Sequence, residues 1–372
     1  MNSRQRLLTV LNGGIPDRVP VNAWIDRFFV TEYLGREDVD DVDDVIAVQK
    51  EFGLDVILRP AYVEETAWGG ERWEARTEEE TRDGRNYLTT TIRTPEGTLR
   101  HSWLKESIRS GYEFVMPVEL LVKEKKDLDL LTKYGVTRPP VDVSWPRRCV
   151  ESIGDDGIVI MWAGGAAFNI AALYIRGEEQ LLFDAQEDPG FYRALMEYAI
   201  FYDMPLARQL APLGGDMLFI GANVAVGNVV GPRFYREHIL PYDREYVRQM
   251  HELGVRVLYH NCGRSACLLD SYRLLGVDAI ESFPPPPTGD GDMRRVKEVL
   301  GDLMVIFGNV DQVHLMREGT PEQVARATIA TLEAGMPGGR FVLQTSDVLY
   351  GGVPPENVRA FAEAGITYGK YR

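Results

Sequence analysis

Cysteine is scarce in this chain, with three among 372 residues. A number so small and odd argues against a disulfide framework and favours a reducing compartment, so we expect a cytoplasmic protein. No stretch approaches the roughly 20 apolar residues that a membrane span needs. Residues 1–6 also lack the apolar core of a signal peptide. These absences predict a chain that neither crosses a membrane nor enters the secretory pathway.

Positive charge is also in deficit, with 41 lysines and arginines against 56 acidic residues and a net charge of −15. So acidic a surface repels nucleic acids and anionic membranes, and neither is an expected partner. It also disfavours a polyanionic substrate unless a local basic pocket is present. With 45% hydrophobic and 26% charged residues, the composition is typical of a soluble globular protein that could act on a small molecule.

Apolar stretches alternate with helical patterns along most of the chain. The candidate strands are 16–24, Asp55–Pro60, Gly157–Trp162, Asp216–Ile220, Val255–His260, Asp278–Glu281, Leu303–Phe307 and Gly339–Gln344. Eight strands, each mostly followed by a helix, predict an α/β fold of the (β/α)8 TIM-barrel type, with residues 1–372 as a single domain. A doubly wound sheet is disfavoured because no glycine-rich phosphate fingerprint follows an early strand.

Two segments stand outside this alternation. Ser3–Asn12 is predicted as an N-terminal helix with Ser3 as its N-cap, which makes it an extension before the barrel. Residues 69–108 alternate between polar and apolar and contain strong turn signals, so they predict an inserted β-meander whose threonine-rich strand Tyr87–Thr94 faces solvent. The meander either covers the barrel mouth or mediates contacts in a homodimer.

The most informative motif is His260-Asn261-Cys262-Gly263, at the end of a β-branched run. Residues i and i+2 share one face of a strand, so His260 and Cys262 can point to the same side. Imidazole nitrogen and thiolate sulfur are ligands that zinc favours. A buried histidine beside an inert core cysteine is the alternative interpretation.

Other polar residues lie where barrel strands end, the face on which such barrels carry their active sites. Glu281 and Asp347 are candidates for a third zinc ligand or for a catalytic acid. Glu281 could instead pair with an arginine at the rim, and Asp347 could instead cap a turn. The candidates for shaping a substrate pocket are Trp24, Asn223, Asn228 and Asn309.

Several motifs together resemble the uroporphyrinogen decarboxylase superfamily, which also contains the corrinoid-dependent methyltransferases. They are Arg6-Leu7-Leu8, Pro16–Val21, Gly231–Glu237, Leu240-Pro241-Tyr242, His260–Gly263, Gly308–Asp311 and Val353–Arg359. They extend over most of the chain and imply the same barrel. The resemblance identifies the superfamily, whereas its branches differ in activity.

The two branches imply different sites. The decarboxylases use no metal and hold the porphyrinogen carboxylates with an arginine-rich loop after the first strand. Here that loop, Asn22–Arg27, has one arginine beside an acid. The methyltransferases bind zinc through His-x-Cys and a second cysteine after the last strand. His260 and Cys262 match, but residues 344–347 read Gln-Thr-Ser-Asp and contain no cysteine.

The resemblance therefore implies a zinc-dependent, methyltransferase-like enzyme that moves a methyl group between a corrinoid and a small molecule. Zinc would be held by His260 and Cys262, with Asp347 or Glu281. The corrinoid would arrive on a partner protein, because the chain has no Asp-x-His-x-x-Gly motif for binding it. The alternatives are a metal-free decarboxylase or lyase that needs Glu281 or Asp347 as an acid, and a non-catalytic ligand-binding barrel.

Overall fold

The computed structural model describes residues 1–108 and 112–371. Within them, eight strands form one parallel sheet in the order β1-β8-β7-β6-β5-β4-β3-β2, which curves into a nearly closed barrel. The strands are β1 Val21–Asn22, β2 Val56–Leu58, β3 Gly157–Gly165, β4 Met217–Gly221, β5 Val257–Asn261, β6 Ala279–Ser282, β7 Val305–Val310 and β8 Phe341–Thr345. The predicted (β/α)8 barrel is therefore confirmed.

Buried parallel strands explain why the apolar runs in the sequence are nearly continuous. Both faces of such strands are covered, so β2, β4 and β5 contain buried residues only. Inward-pointing residues such as Ile57, Phe219 and Leu258 form the central cluster of the barrel. Leu7, Val10 and Leu11 of the first helix belong to the same cluster, which accounts for the apolar face of that helix.

The helices follow the predicted alternation. The α-helices are Ser3–Leu11, Arg27–Leu34, Asp43–Glu51, Lys125–Tyr134, Ser144–Ile153, Ala167–Ile170, Glu178–Glu187, Pro189–Leu210, Gly231–Phe234, Leu240–Glu252, Leu269–Tyr272, Met293–Leu300, Pro321–Gly335 and Pro355–Tyr368. The π-helical turns are Ala171–Ile175, Tyr235–Ile239 and Gln312–Arg317, and the 3-10 turns are Gly154–Asp156, Ala211–Leu213 and Ala266–Leu268. Asn2 rather than Ser3 is the first N-cap, because its side chain accepts from Gln5 in a capping box.

Contacts between residues divide the chain into two compact units. The first consists of Met1–Ala61, Ser144–Ala163 and Leu210–Arg372, and it contains the barrel core. The second consists of Tyr62–Val143 and Gly164–Gln209. A single domain over residues 1–372, with its insertion at about 69–108, stays a prediction.

The second unit is built around an antiparallel sheet. Its described strands are Ala67–Gly70, Trp73–Arg82, Arg85–Thr94, Gly97–Ile108 and Tyr112–Glu119, paired in chain order. The threonine-rich strand is partly buried, contrary to the expectation from its polarity. Thr89 and Thr90 lie inside because hydroxyl bonds compensate for their burial, among them Thr89 Oγ1 to Glu80 at 2.8 Å. In the same unit, the buried Arg138 pairs with Asp203. Two short strands, Val63–Glu64 and Val141–Asp142, also pair in antiparallel fashion.

Among the described residues, no helix combines the length and the apolar character that a bilayer crossing requires.

Candidate functional site

A layer of polar side chains lies on top of the apolar barrel core. Each member follows a core residue by two positions, and side chains alternate along a strand, so each points into the barrel. The core residues concerned are Ile57, Leu258, Ala279, Phe307 and Val342. The polar layer consists of Arg59, His260, Glu281, Asn309 and Gln344. The strand pairing places His260 level with Glu281, and Asn309 level with Gln344.

Three possible metal ligands meet at this end of the barrel. A nitrogen of His260, the Sγ of Cys262 and a carboxylate oxygen of Asp347 all lie within 4.8 Å of one another. The His260 Nε2 and the Asp347 Oδ2 are 3.9 Å apart. His260 is buried, whereas 19% of the Asp347 side chain is exposed. The end of β5 and the loop after β8 thus bring together one nitrogen, one sulfur and one oxygen donor.

Glu281 lies on the opposite side of the His260 ring. Its Oε1 is 2.9 Å from the His260 Nδ1. Arg59 donates to both carboxylate oxygens, at 3.1 and 2.7 Å, and Gln344 Nε2 donates to Oε2 at 3.0 Å. The Glu281 side chain is 0% exposed. Glu281 therefore meets the imidazole away from the donor group, and the arginine partner that the sequence left as an alternative is Arg59.

The charges of these groups shift one another's pKa values. Burial alone would raise the pKa of Glu281, but Arg59 and His260 outweigh it and lower the pKa to about 2. Burial likewise opposes a charged His260, yet its bonds with Cys262 and Glu281 and the nearby Asp347 raise the pKa to about 10. Burial raises the pKa of Asp347. In the absence of a metal, the site therefore favours a charged His260 between two acids.

Two aromatic rings pack against the imidazole. The Trp24 ring meets His260 edge-on with centroids 5.8 Å apart, and the Phe219 ring lies 5.0 Å from it. The Arg59 guanidinium lies over the Trp24 ring at 3.9 Å. Trp162, which lies in β3 and is 39% exposed, contacts Phe219 with centroids 4.5 Å apart. A wall of aromatic rings thus extends from a solvent-exposed tryptophan to His260.

Of the four predicted pocket residues, two are buried and two are exposed. Trp24 is buried against the candidate site. Asn309 is buried, and its Nδ2 donates to the Phe283 carbonyl oxygen at 2.8 Å, so it holds the loop after β6. Asn223 and Asn228 are exposed in the segment after β4 and do not belong to the donor group.

Sequence reasoning did not assign site roles to Arg59, Gln344, Trp162 or Phe219. A usable signal was present for Arg59 and Gln344, since each follows an apolar strand residue by two positions at a strand end. Their connection to Glu281 joins residues 222 and 63 positions apart, which local pattern does not reveal.

Comparisons with known proteins identify the family of this chain. The family described as uroporphyrinogen decarboxylase (URO-D) matches residues 122–368, more than half of the chain. A methylated-thiol–coenzyme M methyltransferase of Methanosarcina mazei is 28% identical over 278 residues, which cover 70% of this chain and 72% of the relative. The methylcobamide:CoM methyltransferase MtbA of Methanosarcina acetivorans is 27% identical over 259 residues, covering 68% and 71%.

A solved structure extends the likeness to the whole fold. A methyltransferase from Methanosarcina mazei superposes with a TM-score of 0.68 over 99% of both chains, at 16% identity. At this identity, the likeness is evidence for the fold alone. The chain therefore belongs to the uroporphyrinogen decarboxylase family, as an enzyme of its methyltransferase-like branch.

Proposed function

We propose that this protein moves a methyl group between a corrinoid and a small-molecule thiol, with a zinc ion held by His260, Cys262 and Asp347. The observation that carries the proposal is the convergence of these three donors at the catalytic end of the barrel. The names of the relatives, a methylated-thiol methyltransferase and a methylcobamide methyltransferase, support the same reaction class.

The donor group fits zinc in chemistry and in spacing. Zinc accepts nitrogen, thiolate and carboxylate ligands, and catalytic sites use three protein ligands and leave one position open. With the usual bond lengths, tetrahedral ligands are about 3.4 to 3.6 Å apart. The donors of His260, Cys262 and Asp347 lie within 4.8 Å of one another, so small side-chain movements bring them to that spacing.

The residues around the donors would each contribute to catalysis. A zinc ion in this position would bind the substrate thiol as thiolate by lowering its pKa. Glu281 accepts a hydrogen bond from the Nδ1–H group of His260, so that Nε2 faces Cys262 and Asp347. Trp24 and Phe219 pack against the imidazole and would shield it from water there. In comparison with a second cysteine, the Asp347 carboxylate would make the ion a stronger Lewis acid and a bound thiolate less nucleophilic.

We further propose that the corrinoid is delivered by a partner protein. One relative is a methylcobamide methyltransferase, and this chain has no Asp-x-His-x-x-Gly motif for holding the cofactor itself. The other substrate is a small molecule that would lie along the aromatic wall of Trp24, Phe219 and Trp162. A cytoplasmic location, where cysteine thiols stay reduced, is part of the same proposal.

Metal analysis of protein purified without chelators tests the proposal. We expect about one zinc per chain, lost in His260→Ala and Cys262→Ser but retained in His314→Ala, a matched histidine that is exposed and remote in sequence. Thiol-dependent loss of methylcobalamin absorbance should follow the zinc content. Decarboxylase or lyase activity that survives chelators would instead support a metal-free enzyme of that class. Tight binding of a small ligand without turnover of any methyl donor would support a binding barrel.

A further inference from the structure

Arg59, Glu281 and Gln344 form a closed hydrogen-bonded group behind the His260 ring, which we call the Glu281 clamp. We propose that this clamp is a positioning device that fixes the His260 imidazole so that its Nε2 is available to the metal. The inference rests on the proposed function, because it concerns the same metal site. None of the three clamp residues belongs to the donor group itself.

Three hydrogen bonds from Arg59 and Gln344 hold the Glu281 carboxylate. Arg59 makes a two-pronged contact with Oε1 and Oε2, and Gln344 donates to Oε2. Arg59 Nη2 also donates to the Gln344 Oε1 at 2.9 Å, which closes the ring of contacts. The exposed fractions of the Arg59 and Glu281 side chains are 9% and 0%. Two-pronged contacts between arginine and carboxylate fix direction as well as distance, so Glu281 has one orientation.

The orientation of Glu281 determines which histidine nitrogen faces the donors. An ionised carboxylate only accepts hydrogen bonds, so its contact with Nδ1 requires a proton on that nitrogen. When the metal displaces the second imidazole proton, Nε2 is the nitrogen that gains a free lone pair, and it is the one 3.9 Å from Asp347. Carboxylate partners of metal-bound histidines act in this way in other metal sites.

The three clamp residues come from different strands, which makes the device rigid. Arg59 directly follows β2, Glu281 lies in β6 and Gln344 lies in β8. The Arg59 guanidinium is also confined by the Trp24 ring at 3.9 Å, and the same ring lies against His260. The imidazole is thus fixed by Glu281 at its edge and by the Trp24 ring that packs against it. A movement of any clamp residue would change the direction of Nε2.

Zinc affinity, measured by competition with a chromophoric chelator, tests the clamp. The variants are Glu281→Gln, which loses the charge and one acceptor oxygen, and Gln344→Met, which loses both amide contacts. Because Arg59→Met alone would leave a buried charge without its partner and could unfold the protein, Arg59→Met/Glu281→Gln replaces it. Asp55→Asn is the matched control, since Asp55 is equally buried and pairs with Arg6 at 2.6 Å within the same unit.

The expected result separates positioning from general stability. Loss of an outer partner of a ligand weakens metal binding by about 10- to 100-fold, which we expect for Glu281→Gln and for the double variant. Gln344→Met should weaken it less, and Asp55→Asn should lower the melting temperature with unchanged zinc affinity. In cobalt-substituted protein, the visible ligand-field bands should shift in the clamp variants alone.

Two results would count against different claims. Wild-type protein that binds no zinc refutes the proposed function, and the clamp with it. Wild-type protein that binds zinc, with clamp variants of equal zinc affinity and unchanged cobalt bands, refutes the clamp and leaves the proposed function intact.

Discussion

Asp347 is the proposed ligand by which this chain departs from the sulfur-rich pattern that its sequence resembles, so its replacement tests the site most directly. Its Oδ2 is 3.9 Å from the His260 Nε2, and its Oδ1 accepts from the Val348 amide at 2.7 Å. Asp347→Asn retains the size and the turn contact while removing the charge. Asp347→Cys replaces the oxygen donor with a sulfur donor at the same position.

The size of the effect follows from the number of ligands. Asp347→Asn would remove one of the three proposed ligands and leave the ion bound by His260 and Cys262 alone. Since losing an outer partner already weakens metal binding by about 10- to 100-fold, losing a ligand should exceed 100-fold. That corresponds to more than about 2.8 kcal/mol, at 1.4 kcal/mol per tenfold change. Asp347→Cys should bind zinc at least as tightly as the wild type.

Chelator competition gives the zinc affinity, and the cobalt-substituted protein gives the ligand type. A second thiolate should increase the sulfur-to-cobalt charge-transfer absorption of Asp347→Cys. Asp311→Asn is the control, because Asp311 is a buried carboxylate at a neighbouring strand end that caps the turn Gln312–Arg317. If Asp347→Asn binds zinc as the wild type does, while Cys262→Ser does not, Asp347 is no ligand and the reasoning fails.

Three further outcomes follow from the structure. Because the pKa of the metal-free His260 is raised to about 10, zinc must displace its proton, and Cys262 must lose its thiol proton to bind as thiolate. Apparent zinc affinity should therefore rise at least about tenfold per pH unit between pH 6 and 9; calorimetry that detects no proton release would contradict this. Burial raises the pKa of Asp26 to about 6 from an ordinary 3.8, so the stability contributed by its protonated form is present at low pH and lost as the pH rises through 6. Because asparagine also caps helices, Asp26→Asn keeps the cap and removes the charge. In urea unfolding, its free energy of unfolding should exceed that of the wild type by about 1 to 2 kcal/mol at pH 8 and by roughly half as much at pH 5. An equal gain at both pH values would exclude the charge as the cause. Trp162→Ala removes the exposed end of the aromatic wall beside Phe219, so KM for the small-molecule substrate should rise several-fold with zinc content unchanged, whereas loss of zinc would show that Trp162 supports the metal site instead.

The barrel could be predicted from the sequence because each of its strands can be recognised from neighbouring residues alone. Strands buried on both faces need apolar residues throughout, and turn residues mark their ends, so β2 to β8 lie within two or three residues of the predicted bounds. The antiparallel sheet was harder to delimit. Its last strand, Tyr112–Glu119, contains Pro117, which removes a backbone donor and breaks the expected alternation.

The candidate site could be predicted only where one strand end carries its own chemistry. His260 and Cys262 are two residues apart on β5, so their common direction follows from strand geometry. The contact between Arg59 and Glu281 joins β2 to β6, and its register depends on the closure of the whole barrel. A sequence supplies the candidates for such pairs but not the choice among them, because every arginine near a strand end is an equal candidate.

At the proposed zinc site, the charges would allow a carboxylate to replace a thiolate without loss of the metal. Arg59 neutralises Glu281, so the clamp contributes no net charge to the donor group. Cys262 and Asp347, both ionised, would then balance a divalent ion as two thiolates do, while His260 binds as the neutral form. The exchange therefore conserves charge and changes only the softness of the donor set. We expect this enzyme to differ from a two-cysteine relative in the reactivity of its bound thiol rather than in its retention of zinc, and Asp347→Cys should increase methyl transfer to thiols at equal zinc occupancy. A variant with unchanged or slower transfer at full occupancy would exclude donor softness as the determinant of the rate.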